Sequence, residues 1–428
     1  MARAMKDSGI EWIGEIPFAW RVTTLKRLSV IQTGNTPSKD NQDIFYSENE
    51  GIPWIKAENL GLGTPIRMTS EYLTPSGREV GRLFPRNTVY VCCIASVGKT
   101  GYSDIECSCN QQINGIVFNK NYYWKYGYYM TLAQSVEYIN NAGGNVVKII
   151  NSDKQAALKC PVPPFDEQQK IADFLDKKSA SVDAVIEKTK ASIEEYKKLK
   201  QAVITQAVTK GIRPNRKMKD SGNIWLGDIP EDWDVKRLKY VFRIRKRIAG
   251  KEGFTILSIT QKGIVPKDIS KNEGQLAENY SNYQLVYPGD FAMNHMDLLT
   301  GWVDISQYEG VTSPDYRVFT LENKEINNSM FYLYLMQMCY TNRIFYRLGQ
   351  GVSGMGRWRL QADKFLNFTI MQPSYDEQCE IANYIKEKCD EIDILIQKKE
   401  KALEEMACYK KSLIYEYVTG KKGVPDCY

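Results

Sequence analysis

Met5-Lys6-Asp7-Ser8-Gly9 returns, in order, as Met218-Lys219-Asp220-Ser221-Gly222. The likeness continues. Trp12-Ile13-Gly14-Glu15-Ile16-Pro17 stands against Trp225-Leu226-Gly227-Asp228-Ile229-Pro230, then Trp20 against Trp233, Val22 against Val235, and Leu25-Lys26 against Leu238-Lys239. A second matched stretch closes each half. Asp153-Lys154 returns as Asp363-Lys364, Pro163 as Pro373, Asp166-Glu167-Gln168 as Asp376-Glu377-Gln378, Ile171-Ala172 as Ile381-Ala382, and Val208-Thr209 as Val418-Thr419. Matches of this length and order make a tandem duplication, which has to be settled before a fold is assigned. The middles, residues 30–140 and 243–350, share little beyond a late aromatic stretch. Either they drifted as plain surface, or each reads a different target while the kept ends do a shared job.

The kept ends are helical in pattern. After Pro163-Pro164, Asp166 is placed to cap a first turn and Glu167 suits the helix dipole. Leu175, Val182, Ile186, Ile193, Tyr196 and Val203 then recur at heptad-like spacing with charges between them. Gly211 and Pro214 end the run. The second copy offers Ile385, Ile392, Ile396, Leu403, Met406 and Leu413 and ends at Gly420. Each helix of about 40 residues would reach roughly 60 Å. One apolar stripe has to be buried somewhere. Two copies in one chain offer each other that partner, as an antiparallel, coiled-coil-like pair. Such a pair would set the two diverged domains apart with pseudo-two-fold symmetry. Packing of each helix on its own domain is the simpler alternative. The expected divisions are residues 1–164 and 213–375 for two globular α+β domains, with 165–212 and 376–428 for the helices.

Composition narrows the function classes. At 428 residues the chain is too long for one ordinary domain. A net charge of +6 is a mild surplus, so the placement of the basic residues matters more than their sum. No run of about 20 apolar residues and no signal-peptide core is present, so a cytoplasmic location without membrane contact is expected. The ten cysteines are then thiols, and no C-x-x-C pair suggests zinc or another metal. A single histidine, His295, leaves little room for His-based catalysis.

The middles mix strands and loops. Thr88–Ala95, Ile113–Phe118 and Phe254–Ile259 read as strands, and Tyr122–Asn141 and Ser329–Leu348 as aromatic helices whose rings belong to a core. Several loops carry groups suited to nucleic acid. In the first half these are Thr33, Asn35, Thr36, Ser38 and Lys39, the basic series Arg78, Arg82 and Arg86, and Ser96, Lys99 and Thr100. From Lys236 to Lys251 there are eight basic residues and no acidic one, among them Arg243, Arg245, Lys246 and Arg247. Such runs neutralise phosphates, whereas Arg, Asn, Gln, Ser and Thr read base edges. Gln261, Lys262, Asn294, His295, Arg317, Ser353, Arg357 and Arg359 complete the second-half candidates. A run of charge as often marks a solvated face.

Four fragments suggest an enzyme. Gly98-Lys99-Thr100 matches the end of a P-loop, yet that motif needs glycine where Cys93 stands. Gly349-Gln350-Gly351-Val352-Ser353-Gly354 fits G-x-G-x-x-G but follows a helical pattern, as a loop would. Val162-Pro163-Pro164-Phe165 approaches an adenine-methyltransferase segment but lacks its hydrogen-bond acceptor at Val162. Asp315, Glu322 and Lys324 have the composition of a Mg²⁺-dependent nuclease, with no counterpart in the first half.

The two K-D-S-G…W-x-G-x-I-P…W segments, Thr33-Gly34-Asn35-Thr36-Pro37-Ser38, Gly51-Ile52-Pro53-Trp54-Ile55 and the helix starts at Pro163–Ala172 and Pro373–Ala382 resemble the specificity subunits of type I restriction–modification systems. The second helix start departs from the pattern, with Ser374 for the second proline. The resemblance covers nearly the whole chain. It implies two target-recognition domains, each reading one half of a split, asymmetric site on double-stranded DNA. It also implies helical spacers that measure the gap and dock two modification (methyltransferase) subunits. Those partners would use S-adenosylmethionine to methylate adenine N6. Two restriction subunits, where the system has them, would use ATP and Mg²⁺ to translocate and cleave. Catalysis and cofactors would then lie outside this chain. The family's recognition loops fall near Gly34–Lys39, Ser96–Thr100, Gln261–Lys262, Asn294–Asp297 and Ser353–Arg359.

Overall fold

The computed structural model describes residues 3–267, 279–351 and 358–425, with the backbone alone at Lys39. It divides into two compact units, Met1–Lys190 with Lys401–Tyr428, and Ala191–Glu400. In the first unit four antiparallel strands form a sheet: β1 (Ser29–Thr33), β2 (Thr88–Cys92), β3 (Thr100–Ser103) and β4 (Ile113–Phe118), in the order β3-β2-β4-β1. Helix α1 (Trp124–Ala133) packs its buried Tyr126, Tyr129 and Met130 into the same core as Val89 and Val91 of β2. A five-stranded sheet, including Ile52–Ile55 and Cys107–Cys109, stands beside it. The long helix α2 (Phe165–Lys210) starts in this unit.

The second unit repeats the plan with different residues. Its sheet consists of β5 (Phe242–Arg245), β6 (Phe291–Met293), β7 (Val303–Ile305) and β8 (Arg317–Leu321), in the order β7-β6-β8-β5. Helix α3 (Ser329–Thr341) packs on it, and the ring of Phe242 meets Phe291, Phe319 and Tyr332 at 5.1, 5.0 and 5.7 Å. The second long helix is α4 (Tyr375–Val418). Thus the middles that do not match in sequence share one sheet order, because burial asks only for apolar side chains at alternating positions.

The duplicated segments explain themselves in this fold. Met5–Asp7 pairs with Glu15–Pro17, and Met218–Asp220 with Asp228–Pro230. Each hairpin brings a fully buried tryptophan to the start of a long helix. The indole of Trp20 donates to Glu167 at 2.9 Å, and that of Trp233 to Glu377 at 3.0 Å. Arg3 pairs with Glu167, and Arg216 with both oxygens of Glu377. The adjacent glutamine completes each joint. Gln168 donates to the Pro163 carbonyl and accepts from the Tyr123 backbone, while Gln378 does the same with Pro373 and Asn328. The kept Glu-Gln and Trp residues are therefore one structural lock, used twice.

Within each unit, segments of the two long helices run antiparallel. In the first, the tilted rings of Phe174 and Tyr417 meet at 4.5 Å and Lys410 bridges Asp183 at 2.7 Å. In the second, Lys200 bridges Asp393 at 2.6 Å and Lys399 lies over Tyr196. The two bridges fall on equivalent repeat positions. The expected stripe is the inward face: Leu175, Ile193, Ile385, Ile392, Ile396 and Leu413 are buried, and Val182, Ile186, Val203 and Leu403 half-buried. Gly420, in the left-handed region at φ 74°, follows α4. A Cβ there would fall 2.4 Å from the Pro17 ring, so only glycine lets the helix end against the first hairpin.

Some local expectations need correction. Helix α2 begins at Phe165, so Asp166 lies in its first turn rather than at its cap. The strand expected over Thr88–Ala95 stops at Cys92, because Ala95 turns to φ 62°. The strand expected at Phe254–Ile259 is Leu257–Thr260, paired with Gly263–Pro266 in a hairpin. Both aromatic helices are broken, at Gln134 and at Asn342-Arg343. The first break is held by a bond from the fully buried Gln134 side chain to the Lys159 carbonyl. Gly349–Gly354, expected as a loop, contains a two-residue strand, Gln350–Gly351, and residues 352–354 lie outside the described ones.

Candidate nucleic-acid interface

In the first unit much of the polar loop is committed to holding itself. Thr33 donates to Asn114 at 2.8 Å, and Asn114 in turn donates to Gln155 at 2.6 Å. Asn35 donates to the Val80 carbonyl at 2.8 Å and accepts from the Arg82 backbone at 2.6 Å, while the Arg82 guanidinium donates to the Thr33 carbonyl. Thr36 bonds Gln111, and Ser38 caps Asp40. Gly34 lies against Cys109, where a Cβ would come within 2.2 Å of a carbonyl oxygen. The side chain of Lys39 lies outside the described residues. Arg78 is exposed and pairs with Glu106 at 2.8 Å. Ser96 and Lys99 are exposed on the β2–β3 turn, and Lys99 reaches the Ala57 carbonyl at 2.8 Å. Thr100 is only 2% exposed. The P-loop likeness therefore sits in a hairpin turn followed by a strand, not a helix.

Three of the eight basic residues of the second unit's run are paired by acids distant in sequence. Arg243 and Arg245 share Glu322 at 3.2 and 3.0 Å, and Arg247 meets Asp290 at 2.5 Å. Lys246 is exposed, with no ion pair among the described residues. This also undoes the nuclease alternative. Glu322 is engaged by two arginines, and Asp315 stands at the opposite end of β8 from Glu322 and Lys324. Among the described residues no cluster of three or more His, Cys, Asp or Glu suits a metal ion, and no helix is long and apolar enough to cross a membrane. The described cysteines are free thiols.

Four candidates from separate stretches do converge. Lys246, His295, Arg317 and Arg359, with Gln284 and Ile244, line a cleft of about 340 Å³. Arg317 is 5% exposed. It donates to the Leu360 carbonyl at 2.8 Å and lies 4.8 Å over the Phe365 ring. Burial lowers its pKa to about 10. Burial, then the charges of Arg317 and Arg359, hold the His295 imidazole down at about 3, so it is neutral at pH 7. Asn294 supplies its carbonyl to Tyr340 at 2.7 Å. Ser353 and Arg357 lie outside the described residues.

Sequence reading missed two larger grooves. One, of about 780 Å³ in the first unit, is lined by Lys99, Thr100, Tyr128, Ile186, Lys410 and Ile414 among others. The other, of about 810 Å³ in the second, includes Gln261, Lys262, Trp302, Lys200, Ile204 and Ile396. Ile186, Lys410 and Ile414 occupy the same repeat positions as Ile396, Lys200 and Ile204. The duplication was the available signal: kept helix positions build a groove twice.

Comparison with known proteins agrees with this layout. The family model described as the type I restriction modification DNA specificity domain matches twice, over residues 17–195 and 230–405. The chain belongs to this family. Its members are the non-catalytic recognition components of type I systems. Among curated relatives, the MjaVIII specificity subunit of Methanocaldococcus jannaschii is 28% identical over 63% of this chain and 63% of its own. The putative MjaX specificity subunit of the same organism is 25% identical over 96% and 95%. The first curated matches span 46%, 63% and 54% of the relatives' own lengths, about half. Two solved structures share the fold. A chain from a study of assembly and conformational transition of the type I R-M system gives a TM-score of 0.69 at 12% identity, covering 95% of this chain and 99% of its own. The specificity subunit of Thermoanaerobacter tengcongensis gives 0.51 at 12%, covering 95% and 98%.

Proposed function

We propose that this chain reads a bipartite, asymmetric site on double-stranded DNA, one half per unit, in the cytoplasm. Residues 1–164 and 213–375 act as the target-recognition domains, and 165–212 and 376–428 as spacers that set the gap. The observation that carries the reading is a shared scaffold with unlike surfaces. The same sheet carries a closed neutral pair, Thr33 and the buried Asn114, in the first unit, and the exposed Lys246 beside the buried Arg317 in the second. Two identical readers would recognise a symmetric site, whereas two different ones require an asymmetric site.

The repeated helix grooves support two docking positions for one kind of partner. We assign these to two adenine-N6 methyltransferase subunits, with restriction subunits joining where the system has them. S-adenosylmethionine would belong to the former, and ATP and Mg²⁺ to the latter. The exposed candidates Arg78, Ser96, Lys246 and Arg359 would then meet DNA directly, whereas Lys99, Gln261 and Lys262 line the two grooves. Exchanging residues 20–160 for the equivalent domain of a relative tests this. One half of the methylated motif should change and the other stay. A change in both halves, or in neither, would contradict it.

A further inference from the structure

The cleft of the second unit is a cationic site with no counterpart in the first. Repeat equivalence follows from backbone contacts. The Ile150 amide donates to the Cys93 carbonyl at 2.9 Å, as the Leu360 amide does to that of His295 at 3.0 Å. Cys93 therefore stands where His295 does, and Ile149 where Arg359 does. The strand registers place Asn114 at the Arg317 position, since Gly115 faces Gln32 as Val318 faces Arg245. Thr33 and Gln155 likewise correspond to Lys246 and Phe365. In the first unit these positions form a closed, neutral chain of hydrogen bonds, Thr33–Asn114–Gln155. In the second, every one of the four lining positions is basic or ionisable.

The substituted groups are also left open. Arg317 Nη1 and His295 Nδ1 are buried, on residues 5% and 6% exposed, and have no hydrogen-bond partner among the described residues. Stacking on Phe365 and the Leu360 carbonyl fix the guanidinium plane, leaving its other nitrogen unused. Lys246 and Arg359 stand exposed at the cleft without ion-pair partners, and no acidic side chain lines it among the described residues. Buried donors without acceptors are costly unless a ligand supplies the acceptors. Converging cations with fixed geometry suit the oxygens of a phosphate group.

We propose that Lys246, His295, Arg317 and Arg359 form a binding site for a phosphate group. The phosphate comes either from the DNA backbone or from solution, and the first source rests on the DNA-reading function above.

His295 is the only histidine of the chain, so its imidazole is a built-in reporter. Full-length protein labelled at histidine is titrated with inorganic phosphate against sodium chloride of equal ionic strength. The imidazole resonances should shift saturably with phosphate. Lys246→Ala combined with Arg359→Ala, at two exposed positions, should raise the phosphate Kd roughly tenfold or more while the free protein keeps its thermal midpoint. Arg317→Lys, which keeps the charge and loses the fixed fork, should weaken binding as well. Duplex DNA that competes with phosphate for the shift identifies a backbone phosphate; DNA and phosphate bound together identify a free one. No phosphate-specific shift, or an unchanged Kd in both variants, overturns the site. DNA binding followed separately by salt-dependent anisotropy tells failure of the DNA function from failure of the cleft.

Discussion

Truncating the two lock glutamates should affect the units unequally, although the motif is the same. In the second unit the Glu377 side chain is 3% exposed and that of Arg216 12%, and the carboxylate also holds the Trp233 indole. Glu377→Ala removes the buried partner of Arg216, leaving only the exposed carboxylate of Asp232 beside the guanidinium, and strands a buried indole N–H. Breaking such a pair costs about 3–5 kcal/mol. In the first unit Glu167 is 20% exposed and Arg3 42%. The ion pair there contributes at most about 1 kcal/mol. The indole bond to a charged acceptor, about 1.5–3 kcal/mol, is lost in both variants and cancels, so Glu167→Ala should cost at least about 2 kcal/mol less than Glu377→Ala. The difference of about 2 kcal/mol corresponds to roughly 4–8 °C in the midpoint of a unit of this size. Scanning calorimetry of the full chain, with one transition assigned to each unit through the two variants, measures it. Equal losses, or the larger loss from Glu167→Ala, would refute the view that burial of the arginine sets the strength of the lock.

The sole histidine gives a pH test. A folded pKa of about 3 lies below the ordinary value of about 6.5. The neutral form is thus favoured by folding, its contribution is complete above pH 6.5, and it is lost as pH falls from 6.5 toward 3. At pH 5 the loss reaches about 2 kcal/mol. The imidazole signal should not titrate between pH 8 and 5, and His295→Gln should remove that part of the acid sensitivity; a midpoint near 6.5 would contradict this. Gly34→Ala drives a Cβ into the Cys109 carbonyl. It should destabilise the first unit by about 1–3 kcal/mol and impair recognition of one half-site only, as read by methylation mapping. Impairment of both halves would count against independent readers.

The duplication, the long helices and their inward stripe were legible because each rests on local, repeated signals. Heptad spacing at Leu175–Val203 and the paired Trp20/Trp233 need no tertiary knowledge. The shared sheet of the middles was not legible. Val89–Val91 and Phe291–Met293 fill the same place with unrelated apolar residues. Nor was the pairing of Arg243, Arg245 and Arg247, whose acids, Glu322 and Asp290, are far along the chain. Thr33 and Asn35 have a composition suited to base reading, yet their hydrogen bonds close on the fold itself. The cleft assembles from residues 246, 295, 317 and 359, four positions on separate segments that only the sheet register brings together.

Co-expression of this chain with its modification subunit, followed by single-molecule sequencing of a host genome, tests the central claim most directly. One split, asymmetric motif with a methylated adenine in each half is the predicted result. An assembled complex that leaves the genome unmodified, or that marks a symmetric site, would contradict it.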